Sequence, residues 1–550
     1  MKRALLLIAG IVMMSAIVWA RGNTANTSGS VVTLTVHKED IRPAPSANNP
    51  VYQFLRQNLN VEFSWNFVVG DVAQRRGTMI AGGQYPDLLE IRESVLIEAG
   101  AAIPLDDLID RYAPRVKAYY ETAGVWNQMR HTDGKHYYFL NYGAFQGQDH
   151  TTNYDQTAFW IQKAVLKDAG YPKITTVDEY FNLIENYYRR NPTINGQPTI
   201  PFVILTDDWR AFELWNPPNF LFGNPNDGNG IVDARNNYTY KTFFTADISR
   251  QWFRKLNELD KRGLIDRASF TDNYDQYTAK IASGRVLGQS VQGWQFMYEA
   301  DGANTNRGEH IRTMAPLPIV FQAGIQPWYR NITIPNLYRG MAISVSARDP
   351  QRILQFLNDF MSEDVQRVME WGIEGQHWQY NAQRVPYRTD AQRANWQNSD
   401  WQEQNRALLV RDMMPKIQGT FSDGYPTDLG QLLTEREAMI RPEDRELFNA
   451  YGVASTNELM DKNPRPNNPW FPTWNMPDPP DGSAAQIALQ RCQQTMKRLL
   501  PAMILAPTAQ FDTLWAAYVR EMEVTNNLAA YEQYMQTSLN QRLRDWGVVR

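Results

Sequence analysis

The chain has a single cysteine, Cys492, among 550 residues. That excludes an intrachain disulfide framework and any cysteine-based zinc cluster. It also has no excess of one charge: 55 Lys and Arg stand against 59 Asp and Glu, a formal net charge of -4. A dedicated nucleic-acid binder needs a cationic face for phosphates, and the composition offers none. Beyond residue 20, no apolar run approaches the roughly 20 residues that span a bilayer. The six histidines fall into neither HExxH nor a three-residue metal spacing, and His131 and His136 flank a turn at Asp133-Gly134. There is no GxSxG elbow, no Walker loop and no GxGxxG after a strand. The acidic pairs Asp106-Asp107 and Asp207-Asp208 are neighbours in sequence, whereas a glycosidase sets two carboxylates facing each other across a bond. Asp106 and Asp107 suit the positive start of a helix better.

Aromatic residues are plentiful: 17 Trp, 27 Tyr and 23 Phe make up 12% of the chain. Such rings fill cores, and they also stack on sugar faces and fill protein interfaces. With 43% hydrophobic residues the chain as a whole is globular, and its length suggests about three or four domain-sized units. At the start, Lys2 and Arg3 precede an apolar run from Ala4 to Ala20 that ends in Val18-Trp19-Ala20. This order predicts a cleaved secretory signal peptide over 1–20. No cysteine near that cleavage site is present to carry a lipid. The expected location is therefore a periplasm, with the mature protein not embedded in a membrane.

Val31 to Val36 alternates like a strand, and Asn49-Pro50 reads as the start of a helix. Val61, Phe63, Trp65 and Phe67 alternate again, and Pro86 to Ile91 reads as the next strand. Strands alternating with helices predict an α/β layer with a largely parallel sheet. Thr176-Val177-Asp178-Glu179 is a capping box, and Val177, Tyr180, Phe181, Ile184, Tyr187 and Tyr188 behind it form one stripe. Phe511, Leu514, Trp515, Tyr518, Val519 and Met522 form another near the C-terminus. Residues 464–480 hold seven prolines with Trp470, Phe471 and Trp474, too many prolines for a helix or a central strand. That stretch reads as a long surface connection pinned by aromatics, or as the rim of a cleft. Asn224 to Gly230 is rich in turn formers but lacks the terminal glutamate of a calcium loop.

Several short motifs then occur in a recognisable order. Ala81-Gly82-Gly83-Gln84-Tyr85-Pro86-Asp87-Leu88 comes first, followed by Ile103-Pro104-Leu105-Asp106-Asp107-Leu108-Ile109 and Asp133-Gly134-Lys135-His136-Tyr137. Phe159 to Lys163, Thr176 to Tyr180, Gly263-Leu264-Ile265 and Lys280 to Gly284 follow, then Met341 to Ser344 with Pro350, and Trp371-Gly372-Ile373-Glu374-Gly375. The series resembles the bacterial extracellular solute-binding proteins of family 1, the capture subunits of ABC importers for sugars and oligosaccharides. It is closest in pattern to the subset similar to lipoprotein-type and alginate-oligosaccharide-binding proteins. Gln162 and Ala164 depart from that subset's pattern.

The resemblance implies an α/β fold of two lobes, the Venus-flytrap arrangement of periplasmic binding proteins, with discontinuous lobes and a helical C-terminal extension. It places the first lobe over 30–142 and 292–340, and the second over 143–291 and 341–550. Crossings are expected near Leu140 to Thr151, near Ser290 and near Gly340. It also implies a monomer without catalytic activity that captures an oligosaccharide and hands it to a membrane permease. The alternatives are a secreted polysaccharide-acting enzyme and a sensor subunit that presents its ligand to a receptor. Some members of the subset carry a calcium loop, but here Asn191 to Ile200 keeps the turn without its carboxylates, so no cofactor is expected. For the ligand, the expected stacking rings are Trp294, Trp160, Trp209, Tyr142, Trp328, Trp371 and Trp378. Asp87 and Glu374 are the expected hydroxyl acceptors, and Arg330 the partner for a carboxylate if the sugar is acidic.

Overall fold

The computed structural model describes residues 30–39, 43–92, 94–147, 157–330, 335–337, 339–461 and 465–549. The expected signal peptide, 1–20, lies outside the described residues, as does part of the first expected crossing. Nine strands build the two main sheets: β1 Val32–Lys38, β2 Val61–Phe67, β3 Leu88–Ile91, β4 Tyr138–Leu140, β5 Thr157–Gln162, β6 Ile200–Val203, β7 Val286–Gln292, β8 Met314–Leu317 and β9 Gly340–Ile343. The first sheet runs in the order β2-β1-β3-β9-β4, and the second in the order β8-β5-β7-β6.

Local sequence explains the early elements. Asn49 caps the helix Pro50–Leu59, accepting from the amides of Val51 and Tyr52, with Pro50 in the first turn. The Thr176–Glu179 capping box forms, and Val177, Tyr180, Phe181, Ile184 and Tyr187 are buried. The first sheet's core holds Leu34, Val36, Leu88, Leu89 and Ile343. The second core is larger and takes in the C-terminal helices Ala484–Leu505, Phe511–Arg520 and Leu528–Asp545. Cys492 is buried within it, and burial pushes its thiol up to about 12. No helix among the described residues is long and apolar enough to cross a membrane.

The strand pairing corrects the expected segment boundaries. Met314–Leu317 lies beside β5 in the second sheet, so 292–340 does not return as a block to the first lobe. Gly340–Ile343 pairs with β3 and β4 in the first sheet, so 341–550 does not begin in the second. Ser290 is inside a central strand, not at a crossing. The chain passes from the second sheet to the first between Leu317 and Gly340. It returns beyond Leu433–Met439, where the helix Pro442–Tyr451 pairs Asp444 with Lys163 and Glu446 with Lys167. The physical reason is that a short apolar run reads alike whether its open edge is in one sheet or the other.

Direction matters for function. In the first sheet β1, β2 and β3 are parallel, and β9 runs antiparallel to both β3 and β4. In the second, β6 is parallel to β7, and β5 runs antiparallel to both β7 and β8. The chain therefore leaves β4 and enters β9 at the carboxyl edge of the first sheet. It enters β5 and leaves β8 at the carboxyl edge of the second. The connecting segments join these two edges, the side on which open α/β sheets bind ligands. Gly340 sits at one such joint with φ +145°, where an added Cβ would lie 1.8 Å from the Phe139 carbonyl oxygen, so only glycine fits.

Candidate functional site

The carboxyl edge of the second sheet carries exposed aromatic surface. Trp209 follows β6 and Trp294 follows β7, so parallel neighbouring strands deliver both rings to one edge. Their planes are 10° apart with centroids 5.8 Å apart, and they stay 54% and 41% exposed. Exposed large aromatics in contact are the informative exception in a surface. The loop before Trp209 is turned by Asp208, which takes φ +47°, and its neighbour Asp207 accepts from the Tyr274 amide at 2.9 Å.

The platform is braced from below. Phe212 stacks near Trp209, and the Trp294 indole N–H donates to Gln292 Oε1 at 2.5 Å. The Arg210 guanidinium lies over Trp209 at 4.7 Å and over Tyr274 at 3.8 Å, and its Nε donates to Gln295 Oε1. Burial, with Glu299 nearby, pushes the Tyr274 hydroxyl up to about 12. Glu213 is buried beneath, accepts from the Gln292 amide, and is pushed up by burial to about 8, so it is mostly protonated at neutral pH. Tyr298, four residues after Trp294, is 77% exposed.

A cavity of about 230 Å³ lies further along the same lobe, lined by Asn219, Asp227, Arg235, Trp328, Asn468 and Trp470 among others. One wall is the turn-rich segment after Asn224 and the hairpin Gly230–Asp233 with Thr239–Thr242. The other is the proline-rich stretch, whose backbone is held by Arg542 through the carbonyls of Trp470, Pro472 and Asn475. Asp227 fastens the walls together: its carboxylate takes the Trp470 indole N–H at 3.2 Å and the Thr473 amide. Burial pushes its carboxyl up to about 7 against those hydrogen bonds. Asn226 Nδ2 donates to Thr157 Oγ1 at the start of β5, which puts the cavity's wall at the carboxyl edge, opposite Gln292.

The first sheet's carboxyl edge is different. Lys38, at the end of β1, pairs with Glu90 at 2.6 Å, and Arg92 reaches the same oxygen at 3.0 Å. Arg76 pairs with Glu39 at 3.0 Å. Burial alone would raise the Glu90 carboxyl, but Lys38 and Arg92 outweigh it and hold it below the usual range. In the connecting segment between β4 and β5, Tyr142 is partly exposed, its carbonyl takes the Asn336 amide, and the Gly143 amide donates to Gln418.

The other expected ligand residues fall elsewhere. Trp160 is 1% exposed in β5, its indole N–H spent on the Val291 carbonyl at 2.7 Å, so it is a core residue. Trp371 and Trp378 are buried against each other and Phe421 in a small satellite core, with Glu374 exposed beside them. Arg330 is 8% exposed and donates to the Asp461 carbonyl, so it does not present a cation to a ligand in this conformation. Asp87 sits at the opposite end of β3 from the carboxyl edge and accepts from the Thr35 amide and hydroxyl. Trp328 lines the cavity, with Arg465 over its ring at 5.1 Å. The bracing groups Arg210, Phe212, Tyr274 and Glu213 were not anticipated. Arg210 and Phe212 adjoin an expected residue, whereas Tyr274 comes from a helix 65 residues away with no local signal.

The acidic pairs have structural tasks. Asp106 opens the helix Asp106–Tyr112 and holds His136, accepting from its amide at 2.9 Å and facing its Nδ1 at 2.7 Å. The expected calcium-loop position is a tight hairpin, Thr193–Ile194 with Gln197–Pro198, turned by Asn195 and Gly196. Among the described residues, no group of three or more His, Cys, Asp or Glu is arranged to hold a metal ion.

No protein-family profile matches the chain. It is 24% identical over 314 residues to the fructooligosaccharide ABC transporter substrate-binding protein FusA of Streptococcus pneumoniae serotype 4. That alignment covers 51% of this chain and 55% of FusA, so the chain spans about half the length of this curated relative. The whole fold is similar to solved structures. Alginate-binding protein AlgQ2, solved without calcium ion, matches 93% of this chain and 98% of its own at 17% identity and TM-score 0.61. An EF-hand mutant of S. pneumoniae FusA in complex with fructo-nystose matches 94% and 100% at 16% identity and TM-score 0.63. An HMO-binding, ABC-transporter-associated solute-binding protein from Bifidobacterium longum infantis matches 92% and 98% at 16% identity and TM-score 0.62. The fold is that of these solute-binding proteins, the kind to which the sequence motifs pointed.

Proposed function

We propose that this chain is the capture subunit of an ABC importer, and that it binds an oligosaccharide between the carboxyl edges of its two sheets. The observation that carries this reading is the exposed Trp209–Trp294 pair at the carboxyl edge of the second sheet. Apolar sugar faces stack on such rings, and their hydroxyls need the polar groups around them. The similarity to FusA supports the ligand class and the transporter role. On this reading, the segments around Tyr142 and Gly340 are hinges, and closure of the lobes dries the site and strengthens its hydrogen bonds. The closed form docks on a membrane permease, and no bond of the ligand is broken. Residues 1–20 act as a cleaved signal, which releases the mature chain into the periplasm.

The test is a thermal-shift screen of residues 21–550 against neutral and acidic oligosaccharides, with each sugar recovered and analysed afterwards. A ligand at about 100 times its Kd adds roughly 2.7 kcal/mol, a visible shift. A shift with intact sugar supports the reading. Cleaved sugar sinks it in favour of an enzyme.

A further inference from the structure

Resting on the proposed function, we infer that Glu213 is the positioning residue of the tryptophan platform and that it makes sugar capture sensitive to pH. The first ground is its place. Two chain exits carry the platform, one after β6 with Trp209 and Phe212, the other after β7 with Gln292 and Trp294. Glu213 is buried on the first exit, and its carboxyl accepts the Gln292 amide of the second at 3.2 Å. Gln292 in turn accepts the Trp294 indole N–H through its side chain. A second link runs from Arg210 Nε to Gln295 Oε1 at 3.2 Å, and the Arg210 guanidinium lies over Trp209. Displacing either link moves one ring against the other.

The second ground is a donor held in reserve. A guanidinium only donates, so the buried Gln295 turns its side-chain oxygen to Arg210 and its amide nitrogen away. That nitrogen is buried, has no hydrogen-bond partner among the described residues, and lies beside the Glu213 carboxyl. A neutral Glu213 leaves it there. A buried carboxylate is costly unless donors surround it. An ionised Glu213 therefore draws the Gln295 amide in and turns its oxygen off Arg210, and the Trp209 face loses its brace.

The third ground is the company of this carboxyl. Tyr277, buried on the helix Tyr274–Ala282, lies near Glu213 and donates to Gln289; burial holds its hydroxyl well above the usual range, so it stays neutral. Asp301, in the turn Met297–Asp301, lies near Tyr277 and accepts the Met314 amide, and burial pushes it up to about 6. Asp207 and the exposed Glu299 flank Tyr274, over which Arg210 lies. Among the described residues no cation pairs with Glu213, and burial pushes it up to about 8 against the hydrogen bond from Gln292. Closure of the lobes removes more water, and drying favours the neutral form further. Sugar and proton therefore strengthen each other's binding, by the same factor in each direction.

The first measurement needs no sugar. Fluorine NMR of residues 21–550 carrying fluorinated tryptophan follows Trp209 and Trp294, assigned by the signals lost in Trp209→Phe and Trp294→Phe. Both signals should shift in one step with a midpoint near pH 8. Glu213→Gln keeps the side chain's shape but has no proton to lose, and should abolish the step. A step that survives in Glu213→Gln, or is missing from the wild type, overturns the inference and leaves the proposed function untouched. If Glu213→Gln does not fold, Gln295→Leu decides: its Trp209 step should vanish, and a step that persists overturns the relay. The second measurement is calorimetry with kestose and with an alginate oligosaccharide at about pH 6.5 and about pH 9. For a sugar that binds, the wild type should be about tenfold weaker at the higher pH and should take up protons on binding between the two. Glu213→Gln should show neither effect. Wild-type affinity equal at both pH values overturns pH-sensitive capture, while the binding itself upholds the proposed function. Binding of neither sugar at either pH would overturn the proposed function and pH-sensitive capture together.

Discussion

The two carboxyl edges solve opposite problems. The first lobe gathers charge at its edge and neutralises it internally: Lys38, Glu90, Glu39 and Arg76 are buried and paired, and the half-buried Arg92 joins them at Glu90. The second lobe leaves apolar rings in the open and spends its polar groups on bracing them from beneath. A paired, buried network is rigid because any displacement strands a charge. An exposed ring pair is unsatisfied until something covers it. The difference suggests a division of labour, in which one lobe is a stiff wall and the other is the surface that recognises the ligand.

The largest effect should come from breaking the wall. Lys38→Met leaves the buried Glu90 with the half-buried Arg92 and the Glu39 amide, and truncating one partner of a buried pair costs about 3–5 kcal/mol. Chemical unfolding should show that loss. A loss below about 1 kcal/mol would mean that the network is solvated and not a wall.

The bracing beneath the platform gives a pH signature. Glu213 rises from 4.5 to about 8 on folding because burial disfavours its charge. A raised carboxyl binds its proton more tightly in the folded state. Its contribution is therefore full below about pH 4.5 and lost as pH rises through about 8. Asp227, raised from 3.8 to about 7, acts in the same direction over a slightly lower window. Melting temperature should fall across that range, and Glu213→Gln should flatten the profile. An unchanged profile in that variant would remove Glu213 from the account.

The smallest stability effect should come from the platform itself. Trp294→Ala and Trp209→Ala remove half-exposed rings and should change unfolding by less than about 1 kcal/mol, the range of ordinary surface substitutions. The same variants should weaken sugar binding at least about tenfold, near 1.4 kcal/mol. A large stability loss would make the rings structural and erase the contrast between the lobes.

Much of this was legible in the chain, and the failures are instructive. Alternation over Val31 to Val36 and Val61 to Phe67, the Asn49-Pro50 start and the Thr176–Glu179 box are local signals, and local structure follows them. The sheet to which a strand belongs is not local, which is why Met314–Leu317 and Gly340–Ile343 were exchanged between lobes. Trp160 and Trp294 show the same limit at the site. Both are tryptophans at strands, yet Trp160 lies inside one, points into the core and donates to the Val291 carbonyl, whereas Trp294 lies past a strand's end. Arg330 looked like a free cation because its partner, the Asp461 carbonyl, is 131 residues away.

The most direct test is a crystal structure of the protein with the tightest-binding intact oligosaccharide. The account predicts one sugar ring in van der Waals contact with Trp209 and Trp294, lying between the carboxyl edges of the two sheets. A sugar bound away from that edge, with both tryptophans still open to solvent, would contradict it.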